Sequence, residues 1–206
     1  MTLIIHGSDR TVDHLIIQSL LLCSKCIYAE NCTIKSSNVR QIPLGFCDVN
    51  TRALPYHNKR PFNSDIFKSK PKTKLCYMNI NIYNTDEPKF SIVKQNRLNC
   101  VEKFKDCTWV DKETEKLSFE SFIDTLSIYK FAICPVGFGI DTHRFYECVA
   151  VGTRPIVISS PLDEMYSVFN PLIVNDWSEV TESLLHRQPE YIPNYEALQL
   201  EYWLKV

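Results

Sequence analysis

Residues 129–161, YKFAICPVGFGIDTHRFYECVAVGTRPIVISSP, constrain the fold more than any other stretch of the chain. The apolar run Phe131-Ala132-Ile133-Cys134 reads as a buried strand, and Pro135, which has no N–H to give to a ladder, ends it. Gly137 and Gly139 make a loop without Cβ crowding. Asp141 or Thr142 can cap a following helix whose buried stripe is Phe145, Cys148 and Val149. Gly152 stands where a helix C′ glycine belongs. Arg154-Pro155 then leads into a second strand, Ile156-Val157-Ile158. Strand, glycine loop, helix and strand in this order make a parallel βαβ unit. The chain holds five glycines in 206 residues, so three within this one stretch mark it as the place where backbone freedom is concentrated.

A glycine loop that opens a helix is suited to anions, because unpaired N–H groups and the positive end of the helix dipole face one spot. His143 and Glu147 share a helical face, with Arg144 beside them. A cation, an imidazole and a carboxylate over such a loop suit a phosphorylated sugar, with Arg144 for phosphate and Glu147 for ribose hydroxyls. The same pattern also fits a βαβ turn that binds nothing. It is not the Walker loop, since no Gly-Lys-Ser/Thr follows, and it is not the dinucleotide fingerprint, since Thr142 occupies the place of the third glycine.

The run CPVGFGIDTHRFYECVAVGTRPIVI resembles the signature of exostosin-like glycosyltransferases, related to family GT47. The matching residues are Cys134, Pro135, Gly137, Gly139, Asp141, His143, Arg144, Glu147, Gly152 and Pro155. Phe138 stands where that family carries a polar residue, and Tyr146 where it carries Trp. The resemblance implies the C-terminal half of a GT-B fold, with Gly137, Gly139, Asp141, His143, Arg144, Glu147 and Ser160 around a UDP- or GDP-linked sugar donor. A weaker resemblance extends to the N-terminus: LIIHGSD, YAENC and IPLGF are similar to the end of the family's N-terminal half. It implies a shortened acceptor-side lobe over residues 1–72 and a nucleotide-sugar-binding Rossmann-like domain over 73–206. Gly139 stands where retaining relatives carry a second acidic residue, which implies inversion. Inversion requires a base from the first lobe, and His6 and Asp9 are the candidate catalytic pair. Relatives also carry a phosphate-clamping arginine after an Asn-rich strand; here Lys89 and Arg97 are both candidates for it. Competing readings are a nucleotide- or sugar-binding or subunit-pairing module without turnover, and a nucleotide-binding reductase or phosphosugar enzyme.

The rest of the chain alternates strand and helix. Strands are expected at 2–5, 27–29, 39–44, 75–83, 108–110 and 172–174. Helices are expected at 14–22, with Leu15, Ile16, Ser19 and Leu20 inward, and at 87–104, 119–127, 161–169, 178–186 and 191–204. This order predicts an α/β fold, an open parallel sheet with helices on both faces, plus a partial N-terminal α/β lobe. Residues 46–72 read as an irregular linker. The basic run from Lys68 to Lys74 reads as a solvated loop.

With 23 Lys and Arg against 24 Asp and Glu, the balanced charge gives no ground for a nucleic-acid partner. No apolar stretch is long enough to span a membrane, and no secretory leader is evident. Nine cysteines without a leader suggest reduced thiols and a cytoplasmic setting. Cys23, Cys26, Cys32 and Cys47 lack regular zinc spacing. No Asp-x-Asp follows a strand, so a diphosphate held without metal, and no cofactor, is the expectation. The partners expected are the sugar donor and a glycan or small-molecule acceptor.

Overall fold

The computed structural model describes residues 1–6, 11–46, 67–82, 91–115 and 117–204. It contains two parallel sheets, which divide between Gln41 and Lys74. The smaller has the order β1-β2-β3, from Thr2–Ile5, Cys26–Ala29 and Val39–Gln41. Helix α1 (His14–Leu21) makes the first crossover, and Asp13 caps it by accepting the Leu15 and Ile16 amides at 3.0 and 3.2 Å. Its buried face differs from the expected one. Ile17 is buried, with Leu20 and Leu21 packed beside it, whereas Leu15 is 73% exposed and Ile16 is also exposed. Leu, Ile or both occupy nearly every turn of HLIIQSLL, so periodicity alone does not choose the stripe.

The larger sheet has the order β5-β4-β6-β7-β8, all parallel. Its strands are β4 (Lys74–Asn79), β5 (Val110–Glu113), β6 (Tyr129–Ile133), β7 (Arg154–Ile158) and β8 (Leu172–Val174). The crossovers are α2 (Ser91–Phe104), α3 (Phe119–Leu126), α4 (His143–Ala150) and α5 (Asp163–Ser167). Side chains alternate across each strand and fill two cores. On one face Cys76, Met78, Phe131, Ile133 and Ile156 meet Cys100 and Phe104 of α2. On the other, Tyr77, Ala132 and Val157 meet Phe122, Ile123 and Leu126 of α3 and Phe145, Cys148 and Val149 of α4. This is a Rossmann-like α/β fold with helices on both faces. Because β4 pairs with both β5 and β6, the chain leaves it in one direction and returns on its other side, so a topological switch point lies between β4 and β6.

Two expected elements move. The strand expected at 108–110 lies at Val110–Glu113. The expected final helix is broken: residues 191–195 are not helical, Glu196–Leu198 is a 3₁₀ turn, and α7 is only Leu200–Trp203. Pro193 has no N–H to give and disfavours helix at Ile192. Trp203 still packs back, donating Nε1 to Ala197 O at 2.7 Å and lying 5.9 Å from the Phe169 ring. Helix α6 (Glu182–His186) follows a 3₁₀ turn at Trp177–Glu179. Most of the expected linker lies outside the described residues, but Lys72 in the basic run is half-buried and ties helix ends together, so that run is not simply a solvated loop.

Gly152 ends α4 at φ +70°, and a Cβ there would fall 2.9 Å from Ser69 Oγ and 3.3 Å from the Tyr195 hydroxyl. Gly152→Ala is therefore expected to lower stability by about 1–3 kcal/mol, read as a shifted urea midpoint with an unchanged slope. A midpoint equal to that of the parent would contradict the left-handed assignment.

Candidate functional site

The switch point is lined by the ends of β4 and β6, by α2, and by the loop from Cys134 to Thr142 that enters α4. The loop is anchored by Asp141, which is 2% exposed. Its Oδ1 accepts the Thr142 amide at 2.8 Å and the Tyr166 hydroxyl at 2.7 Å. Its Oδ2 accepts the Tyr146 hydroxyl at 2.6 Å and the Leu44 amide at 2.9 Å. The Asp141 amide donates to Asn31 Oδ1 at 2.8 Å. Leu44 and Asn31 follow strands of the small sheet, so one carboxylate joins both sheets. Burial pushes the Asp141 pKa up, while its four donors pull it back. With both oxygens doubly engaged, Asp141 holds the loop rather than facing a ligand.

Two guanidiniums approach the switch point from different helices, one bonded to the loop and the other to the end of β4. Arg97 of α2 donates Nε to Val136 O at 2.9 Å and Nη1 to Asn81 O at 2.6 Å. Arg144 of α4 donates Nη1 to Asn79 O at 3.1 Å and lies over the Phe122 ring at 4.0 Å. Its Nε faces Glu147 Oε2 at 3.3 Å, with both side chains largely buried. Arg97 is held mainly by carbonyls, and both its burial and the nearby Arg144 charge push its pKa down. Of the two candidates for the phosphate-clamping cation, Arg97 borders the loop and Lys89 lies outside the described residues. The signal for Arg97 was weak because its register against the loop depends on the whole crossover from β4.

The other candidates fall as follows. A Cβ on Gly137 would lie 3.7 Å from Arg97 Nη2, an ordinary contact, so packing alone does not demand glycine there. The Gly137 amide donates to Gly139 O at 3.1 Å, so it is not a free anion donor as the sequence suggested. Thr142 is the N-cap by backbone, without a side-chain cap bond. The imidazole of His143 lies with Nδ1 2.7 Å from Gly45 O. A carbonyl only accepts, so Nδ1 carries the hydrogen and Nε2 is left for another partner. Ser160 follows β7 at the same end of the sheet, where its amide donates to Asp163 Oδ1 at 2.8 Å and its Oγ accepts the Leu162 amide at 3.1 Å. These bonds order the entry to α5. His6 is exposed at the end of β1, on the wall of a 230 Å³ cavity with Glu30, Leu44, Gly45 and Trp203. Asp9 lies outside the described residues. Among the described residues no three His, Cys, Asp or Glu gather in metal-binding geometry, and no helix is long and apolar enough to cross a membrane.

In open parallel α/β sheets the crevice at the switch point, outside the carboxyl ends of the strands, is where ligands bind. The sequence matches the RXYLT1 C-terminal domain family over residues 52–194, more than half of the chain and a span that contains Arg97, the loop, α4 and Ser160. The chain belongs to that family, which is glycosyltransferase-related. A search of curated proteins returns no match.

The Asp141 joint makes a direct prediction. In Asp141→Asn one oxygen becomes an NH₂ that cannot accept the Leu44 or Thr142 amide, whichever it faces. The expected cost is about 2–4 kcal/mol in chemical unfolding. A loss below about 0.5 kcal/mol would mean that the carboxylate does not join the sheets.

Proposed function

We propose that the chain is a glycosyltransferase that takes its sugar from a nucleotide-linked donor, UDP or GDP being the carrier, with the donor diphosphate at the switch point between β4 and β6. The observation that carries this reading is the approach of Arg97, bonded to the glycine loop at Val136 O, and Arg144, bonded to Asn79 O at the end of β4 and paired with Glu147. Two like charges held close and partly desolvated favour an anion that bridges them. Each guanidinium is already pinned to backbone carbonyls, so little reorganisation is needed when the anion arrives.

In this reading the bond between the sugar's anomeric carbon and the diphosphate breaks, and its electron pair leaves on the phosphate oxygen. Arg97, Arg144 and the uncapped start of α4 would hold that charge, and no metal would be required. Glu147 would orient Arg144 and offer its remaining oxygen to the ribose. His143 Nε2 and Ser160 would line the same crevice, and Asp141 would keep the loop in register. The acceptor hydroxyl would approach from the small sheet, with inversion at the anomeric carbon and His6, or Asp9, as the base. The kinship with exostosin-like GT47 enzymes and the GT-B arrangement, with acceptor-side residues 1–72 and donor-side residues 73–206, belong to this proposal.

A second reading, a module that binds nucleotide or sugar without turnover, is favoured by two observations. Phe138, in the loop, is 41% exposed where relatives of the resembled family carry a polar group, and Glu147 is nearly buried against Arg144.

UDP or GDP is expected to raise the melting temperature of the parent chain. Arg97→Ala and Arg144→Ala are each expected to weaken that binding about 10- to 100-fold, the worth of one charge-assisted contact. Release of nucleoside diphosphate from a sugar nucleotide in the presence of acceptor would mark the enzyme, and stabilisation without release the binding module. A panel of UDP, GDP and ADP compounds that leaves the melting temperature unmoved would remove the site assignment.

A further inference from the structure

The small sheet has a cavity of its own. It measures about 230 Å³ and lies beyond the carboxyl ends of β1, β2 and β3, the end of a parallel sheet at which ligands bind. The Glu30 amide donates to Ile5 O and the Ile42 amide to Ala29 O, each at 3.1 Å, so the strand ends that carry His6, Glu30 and Pro43 are tied side by side. The facing wall is the C-terminal segment, Leu198 to Leu200 with Trp203. The volume falls below the roughly 300–1,000 Å³ of drug-sized sites, which suits one ring rather than a whole oligomer.

Two residues of the wall also belong to the seam between the sheets. The Leu44 amide donates to Asp141 Oδ2 at 2.9 Å, and Gly45 O accepts from His143 Nδ1 at 2.7 Å. The cavity is therefore held against the loop that enters α4.

Its chemistry suits hydroxyl groups and disfavours an anion. Among the described residues no Lys or Arg lines it, and Glu30, 9% exposed, is its one carboxylate. The side chains of His6 and Gln199 make no hydrogen bond among the described residues, so each keeps both donor and acceptor capacity for a ligand. A hydroxyl, which also donates and accepts, matches both. The Trp203 indole spends its N–H on Ala197 O at 2.7 Å, so what it gives the cavity is ring surface. An aromatic face attracts the C–H groups of a sugar ring through its quadrupole.

We infer that this cavity holds one uncharged sugar ring, the terminal residue of a glycan, against Trp203 with its hydroxyls on Glu30, Gln199 and His6. The inference rests on the glycosyltransferase reading in one respect: in that reading this ring is the acceptor, placed across the seam from the donor loop. One of its hydroxyl oxygens forms the new bond to the anomeric carbon and gives its proton to the base, while the diphosphate leaves with the electron pair.

The test is NMR titration of the full chain, with and without saturating UDP or GDP. The ligands are the methyl glycosides of glucose, galactose, mannose, xylose and N-acetylglucosamine, with methyl glucuronide as the charged comparator and cyclohexanol as the apolar one. At least one neutral glycoside is expected to bind saturably and about fivefold more tightly than either comparator. Gln199→Ala, a change at an exposed residue, is expected to weaken that binding about 3- to 10-fold. Trp203→Leu, its folding checked by melting temperature, is expected to weaken it about 10-fold. No saturable binding of any neutral glycoside, equal binding of cyclohexanol or methyl glucuronide, or indifference to Gln199→Ala would overturn the inference; UDP or GDP binding that persists in that case leaves the donor site standing. Glycoside binding by a chain that binds no nucleoside diphosphate would instead remove the donor reading, and the acceptor role with it.

Discussion

The carboxylate of Asp141 is the joint on which the remaining geometry depends. A buried carboxylate is costly unless every lone pair is met, and here two tyrosine hydroxyls and two amides meet them. The donors come from α4, α5, the start of α4 and the exit of β3, and the Asp141 amide reaches the exit of β2. Of these segments only the exits of β2 and β3 share a strand ladder, and neither is laddered to α4 or α5. The hydrogen bond from His143 to Gly45 O adds a second tie across the same seam. Lys35 and Glu164 add an exposed pair at 3.0 Å, which contributes little by comparison.

That joint determines what the switch point presents. With the loop held, Val136 O is placed to receive Arg97, while Asn79 O at the end of β4 receives Arg144. Each guanidinium then has a fixed base and spare N–H groups. The order β5-β4-β6 opens the space between them, because α2 and α3 leave opposite faces of the sheet. The far end of the sheet is built differently. There a lysine rather than a carboxylate gathers the helix ends, its three N–H groups donated to Ser127 O, Val151 O and Thr153 Oγ1.

The local grammar of the chain was legible. The Gly152 terminus, the buried stripe of α4 and the alternation of strands and helices all follow from residues close in sequence. What was not legible depends on residues far apart. Asp141 reads as a ligand contact in the motif and becomes a joint only when Leu44, Asn31 and Tyr166 arrive around it. Arg97 acquires its role from carbonyls at Asn81 and Val136, which no spacing rule connects. The inward face of α1 could not be chosen because several apolar stripes were available, and the last helix fails where Pro193 outweighs the favourable residues around it.

The most direct test of the account is amide hydrogen exchange by mass spectrometry, with and without a saturating nucleoside diphosphate. The account predicts slowed exchange in peptides spanning 136–146 and 95–100, with the segments at 69–72 and 188–195 unchanged. Protection confined to those latter segments, or none in the loop while the nucleotide is demonstrably bound, would contradict the placement of the anion at the joint between β4 and β6.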